Sequence, residues 1–245
     1  MADEIERLRA ELAAAKAAVQ QRDSLLAIVA HELRNPMGPV MMGLEILVRE
    51  LEDPTTEREA LLRRAHQTER YVERLRSDLD RLLDFSRLQT GRIDLQRETF
   101  DLSALVTSAL AELESLLAAS HCELHLSLQQ PIEGTWDRMR LRQIVWNLVS
   151  NAAKYAAGSR VDVSTSGDAE RAVLVVRDHG PGIPASEHEA VFRQFERIQR
   201  SSHTGFGVGL WLVRQIVEAL GGSIELDSTV GLGSTFTVTL PRNVT

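Results

Sequence analysis

The chain has 245 residues, 43% of them hydrophobic and 26% charged, with a net charge of −7. That length holds one large domain or two modest ones, and the acidic balance disfavours a nucleic-acid partner gripped through a basic footprint. Cys122 is the single cysteine, which excludes an intramolecular disulfide and a thiolate metal cluster.

From the N-terminus, residues 4–50 read as one long helix. Ile5, Leu8, Leu12, Ala15 and Val19, then Leu26, Val29, Leu33 and Val40, recur in steps of three and four, a heptad seam broken at Arg22 and Pro36. With Leu26 at position a, His31 falls at f and faces away from the seam, where another molecule can reach it. Asn35 lies one turn further on that face, and Glu32 is the immediate neighbour. Pro36 cannot donate to the carbonyl of Glu32, so a bend is expected just past the histidine. Taken alone, His31 beside Glu32 reads as a solvated surface histidine.

Asp53-Pro54-Thr55-Thr56 reads as a turn, with Thr56 a candidate cap for a second helix. Leu61, Ala65, Thr68, Val72, Leu75, Leu79, Leu82 and Ser86 form a second seam, so the two helices make an antiparallel hairpin. The arginines of 58–97 alternate with Asp and Glu and read as a solvated face. Leu25, Ile28, Leu44, Leu62, Leu83 and Phe85 widen the apolar stripe beyond what one partner helix covers. A second copy of the hairpin is therefore expected, giving a homodimeric four-helix bundle. Residues 1–24 read either as a partly helical tail or as a coiled coil that transmits a signal.

Past Thr90-Gly91, taken as the boundary, the pattern changes. Strands are expected at 92–100, 121–129, 161–166, 171–178, 222–228 and 234–241, and helices at about 101–119, 137–157 and 207–220. Strands and helices mix without βαβ alternation, which predicts a two-layer α+β sandwich in place of a doubly wound sheet. No apolar run reaches the length of a membrane span, and Met-Ala-Asp-Glu does not open a signal peptide. A cytoplasmic setting without membrane insertion is the expectation, either for the whole protein or for the cytoplasmic part of a longer one.

Three stretches have parts suited to a nucleotide. Asn147 and Asn151 sit four apart on an apolar helix. An amide oxygen suits Mg²⁺, which keeps its other positions for water and phosphate; amides bonded into a core are the equal alternative. Ala172–Arg177 reads as a strand ending in Asp178-His179-Gly180-Pro181-Gly182, where a carboxylate can accept from an adenine amino group or simply close a turn. Gly205-Phe206-Gly207-Val208-Gly209-Leu210 opens a helix whose N–H groups can meet phosphate. No strand directly precedes those glycines, which rejects a dinucleotide fold. The polar stretch 199–204 before them suits a mobile lid.

The order of these stretches resembles a two-component sensor histidine kinase. Ala30–Pro36 is similar to the phospho-acceptor box, Asn147–Tyr155 to the asparagine box, and Asp178–Gly182 to the first glycine box. Val191–Arg197 resembles the phenylalanine box, Gly205–Leu210 the second glycine box, and Phe85–Gly91 and Gly231–Phe236 are family-like as well. The resemblance covers about 24–241 and implies three parts: a signalling coil (1–24), a dimerisation and histidine phosphotransfer domain (25–90), and a Bergerat-type ATP-binding domain (91–245). It implies His31 as the phosphorylated nucleophile, Glu32 as its base, and Asn35 as a group orienting water in a secondary phosphatase reaction. It further implies Asn147 as the Mg²⁺ ligand, with Asn151, Lys154 and Tyr155 lining the ATP site and Asp178 reading adenine. Gly180 and Gly182 would shape the adenine turn, Arg197 would touch phosphate, and Gly205, Gly207 and Gly209 would cradle it. The expected partners are a response-regulator receiver domain, a second copy of the chain, and an upstream sensor acting on the coil, unless a sensor region has been cut away. Two rival readings are a non-kinase ATPase of the same superfamily, which would turn over ATP without a phosphoprotein, and a docking scaffold that binds no ATP.

Overall fold

The computed structural model describes residues 37–53, 55–89, 94–129, 131–193 and 208–243, with the backbone alone at 73, 74, 76–78 and 80–89. The chain divides into two compact units, Met1–Asp84 and Phe85–Thr245.

In the first unit, helix α1 (described over 37–52) turns at 53–57 into α2 (Arg58–Gln89). Asp53 makes the turn: its carboxylate accepts from the Thr55 N–H at 2.8 Å and the Thr55 hydroxyl at 2.6 Å, while its carbonyl accepts from the Thr56 N–H. The carbonyl of Glu57 accepts from Ala60 and Leu61, so α2 starts one residue later than a Thr56 cap would place it. The helices run antiparallel, with Gly43 against Thr68 and Glu50 paired to Arg64 at 3.3 Å. Gly43 is required there, because a β-carbon would lie 2.5 Å from the Thr68 hydroxyl. α2 leaves a heptad-spaced stripe of α1 uncovered: Met37, Met41, Leu44, Val48 and Leu51 are 46–63% exposed.

The second unit pairs β1 (Arg97–Asp101) with β3 (Glu133–Asp137), and builds a five-stranded sheet in the order β2-β4-β5-β7-β6. Its strands are β2 (Glu123–Leu128), β4 (Arg160–Gly167), β5 (Arg171–Asp178), β6 (Ser223–Thr229) and β7 (Gly233–Pro241). Among the described strands, β2 and β4 alone pair parallel. Helices α3 (Leu102–Ala119), α4 (Arg138–Tyr155) and α5 (Gly209–Ala219) supply buried residues to the same core as the strands. On β4, β5 and β7, Val161, Val163, Ala172, Leu174, Val176, Phe236, Val238 and Leu240 are buried, alternating with less buried neighbours such as Asp162, Arg177 and Thr237. This is the expected two-layer α+β sandwich.

Aspartates start both long helices. Asp101 accepts from the Ser103 N–H at 3.0 Å, and Asp137 from the Arg140 N–H at 3.0 Å. Strand β3 is not among the strands expected from the sequence. It exists through tertiary packing: the Trp136 indole is fully buried, lies on Gly134, stacks edge-on against Phe100 at 5.6 Å and donates to the Pro241 carbonyl at 2.7 Å. Among the described residues, α3 alone is long and apolar enough to cross a membrane, and seven of its eight buried residues belong to this core.

Candidate functional site

The C-terminal half of α4, the turn after β5 and the start of α5 come together in the second unit. Asn147 is 4% exposed on α4, and its Nδ2 donates to the Gln143 carbonyl at 2.9 Å. That bond to its own helix fixes the amide with the oxygen pointing at α5, where a β-carbon on Gly209 would lie 3.1 Å from it. Glycine at 209 thus leaves room beside the oxygen. The half-buried Asn151 and Lys154 continue the same face of α4, with the Lys154 ammonium 4.7 Å from the centre of the exposed Tyr155 ring. Among the described residues, no side chain caps the start of α5.

Asp178 ends β5. Its Oδ1 accepts from the Gly180 N–H at 3.0 Å, and its register partner across the sheet is Ser234 at the start of β7. Burial raises the Asp178 carboxyl above its ordinary value; the Gly180 N–H, the Ser234 N–H and hydroxyl, and the neighbouring His179 pull the other way. Gly180 presses on Ala156 at the end of α4, and Gly182, at φ 70°, abuts the Thr229 carbonyl. Neither position has room for a side chain. The turn is pinned from outside by the Gly231 N–H, which donates to the Pro181 carbonyl at 2.7 Å.

The structure therefore brings Asn147, Asn151, Lys154, Tyr155, Asp178, Gly180, Gly182 and Gly209 into one region of the second unit. His31, Glu32, Asn35, Arg197, Gly205, Gly207 and the 199–204 stretch lie outside the described residues. The buried Phe192 of the phenylalanine box stacks edge-on with Phe236, and the Arg214 guanidinium of α5 lies over the Phe192 ring at 5.4 Å from its centre. Ser234 and Ala156 carry no role in the sequence reading. Strand register alone puts Ser234 on Asp178, and no local signal marks it.

Asn147 fits the expected Mg²⁺: its amide oxygen faces Gly209 while its nitrogen is bonded to its own helix. Among the described residues, no group of three or more His, Cys, Asp or Glu side chains is arranged to hold a metal. A cation here would complete its shell with phosphate and water.

Comparison with known proteins agrees with this geometry. Residues 21–91 match the family described as His Kinase A (phospho-acceptor) domain. Residues 136–244 match the histidine kinase-, DNA gyrase B- and HSP90-like ATPase family. The circadian input-output histidine kinase CikA of Synechococcus elongatus is 36% identical over 239 residues, which span 94% of this chain and 31% of CikA. The chain thus covers about a third of the length of that curated relative. Among solved structures, the Acinetobacter baumannii histidine kinase AdeS superposes with a TM-score of 0.67 at 26% identity, over 87% of this chain and 98% of AdeS. The mycobacterial sensor histidine kinase MprB is 30% identical over 61% of this chain and 99% of its own, with a TM-score of 0.53. With both domains matched in order and the sandwich folded as theirs are, the chain belongs to the sensor histidine kinase family.

Proposed function

We propose that the chain uses ATP to phosphorylate its own His31 and passes the phosphoryl group to an aspartate on a response-regulator receiver domain. The observation that carries this reading is that α4 holds the Asn147 oxygen beside Gly209 and, through Ala156 at its end, packs on the Gly180 turn that Asp178 closes, in a domain of an ATPase family. Asp178 accepts from the adenine amino group, in a turn that Gly180 and Gly182 shape. Asn151, Lys154 and Tyr155 line the nucleotide, while Gly205, Gly207, Gly209 and Arg197 meet its phosphates. Asn147 is the protein ligand for Mg²⁺, which neutralises charge on the phosphates when bound.

In the transfer step, a ring nitrogen of His31 forms the P–N bond as the bond from the γ-phosphorus to the bridging oxygen breaks, releasing ADP. Glu32 holds and then takes the proton from the ring's other nitrogen. The phosphoramidate next gives its phosphoryl group to the receiver aspartate. Asn35 orients water for the reverse task, hydrolysis of the receiver's phosphoaspartate.

The uncovered stripe of α1 supports a homodimer built through 25–90, with 1–24 as a coil driven by an upstream sensor and 91–245 as the ATP-binding domain. A cytoplasmic location follows from the need for ATP. Incubation with Mg-ATP tests the reading: the protein should acquire an acid-labile, base-stable phosphoryl group that His31→Gln abolishes. Normal labelling of His31→Gln sinks the nucleophile assignment, and ATP turnover with no phosphoprotein identifies an ATPase of another kind.

A further inference from the structure

The helix-side face of the sheet is apolar row by row until its last row. Across β5, β7 and β6 the register gives Leu174, Val238 and Ile224, then Val176, Phe236 and Leu226, and finally Asp178, Ser234 and Ser228. One polar row thus closes the sheet, with the candidate adenine-reading carboxylate at one end and Ser228 on the edge strand at the other.

The bonds along this row have a direction. A hydroxyl has one proton to give and two lone pairs to receive. The Ile183 N–H, at the end of the adenine turn, donates to Ser228 Oγ at 2.8 Å. Ser234 Oγ receives from Ser228 at 3.0 Å, which leaves the Ser234 proton for Asp178, its register partner across β5 and β7. The Gly233 carbonyl, at 2.8 Å, shares the Ser228 proton. The result is a relay in which each oxygen is polarised by the donor behind it: turn amide, Ser228, Ser234, carboxylate.

We infer that Ser228 is a positioning residue for adenine recognition, holding the Ser234 hydroxyl and the turn at Ile183 in the arrangement that keeps one lone pair of Asp178 aimed outward. Its hydroxyl touches neither base nor phosphate and acts through Ser234. The inference rests on the reading of Asp178 as the adenine acceptor. Without the Ser228 hydroxyl, the Ile183 N–H loses its acceptor and Ser234 loses the bond that orients it. Asp178 then samples other rotamers, and the site tells the 6-amino group less well from a hydrogen.

The test compares ADP with purine riboside diphosphate, which lacks the 6-amino group, by calorimetric titration of the whole chain. In the wild type ADP binds more tightly, and Asp178→Asn removes that preference. In Ser228→Ala the preference should fall about tenfold, the usual worth of a hydrogen bond to a charged group, with the Kd of the purine analogue unchanged. Ser228→Thr, which keeps the hydroxyl, should retain the preference. Should Ser228→Ala fail to fold, the isosteric pair Ser228→Thr and Ser228→Val makes the same comparison. Equal weakening of both nucleotides, or an unchanged ratio, overturns the role of Ser228. A preference that survives Asp178→Asn overturns the reading of Asp178 instead.

Discussion

Gly180 and Ala156 sit so close that a β-carbon on the glycine would lie 2.5 Å from the alanine β-carbon. The pair joins the turn after β5 to the end of α4, and so sets the spacing between Asp178 and the Asn147 face. Gly180→Ala should force the turn off the helix, at a cost of about 1–3 kcal/mol typical of overpacking. ADP affinity measured by calorimetry is expected to fall at least about tenfold, with a native circular dichroism spectrum. Unaltered affinity would mean that this contact does not set the site.

The Asn147 nitrogen is bonded to the Gln143 carbonyl, which leaves its oxygen as the proposed Mg²⁺ ligand. Asn147→Ala should erase the gain in nucleotide affinity that Mg²⁺ confers, while binding in EDTA changes far less. Paired titrations with and without Mg²⁺ check this. An equal Mg²⁺ effect in both proteins would remove Asn147 from the metal shell.

Asp178 couples function to stability. In the unfolded chain it ionises near 3.8, but in the folded chain burial delays ionisation to higher pH. Through that window the folded state holds the extra proton, so this group's contribution to stability declines as pH rises and stays lost above the folded pKa. Asp178→Asn escapes the decline. Its thermal midpoint should gain on the wild type as pH rises from 3.8, then keep a constant lead. A gap that narrows with rising pH would contradict the burial argument.

The stripe of Met37, Met41, Leu44, Val48 and Leu51 is roughly half exposed in a single chain, so charge there harms association more than folding. Leu44→Glu with Val48→Glu should shift the protein from dimer to monomer in sedimentation equilibrium while leaving helix content intact. A persistent dimer would put the interface elsewhere.

Gly43 and Thr68 mark the closest approach of α1 and α2. Gly43→Ala should destabilise the hairpin by about 1–3 kcal/mol, and adding Thr68→Ala should recover much of that loss because the obstructing hydroxyl is gone. Chemical denaturation of the two single variants and the double variant measures the coupling. Additive losses would show that the two positions do not press on each other.

Much of this was legible in the sequence, because it depends on neighbours along the chain. The strand and helix spans of the second unit fall within a few residues of those read from pattern, β1 apart. Asp178 and the asparagines of α4 stood out because polar residues and glycines interrupted apolar runs. The rest required residues distant in the chain to meet. β3 was missed because Gly134 and Trp136 look like a loop until the indole is seen lying on the glycine. Ser228 and Ser234 reach Asp178 only because β7 inserts between β5 and β6, and strand order is not written in local periodicity. Which segments become helix or strand, and which carry polar chemistry, follows from side-chain spacing along the chain. Tertiary structure alone decided which oxygen faces which amide, since hydrogen bonding acts over a few ångströms of space and not along the chain.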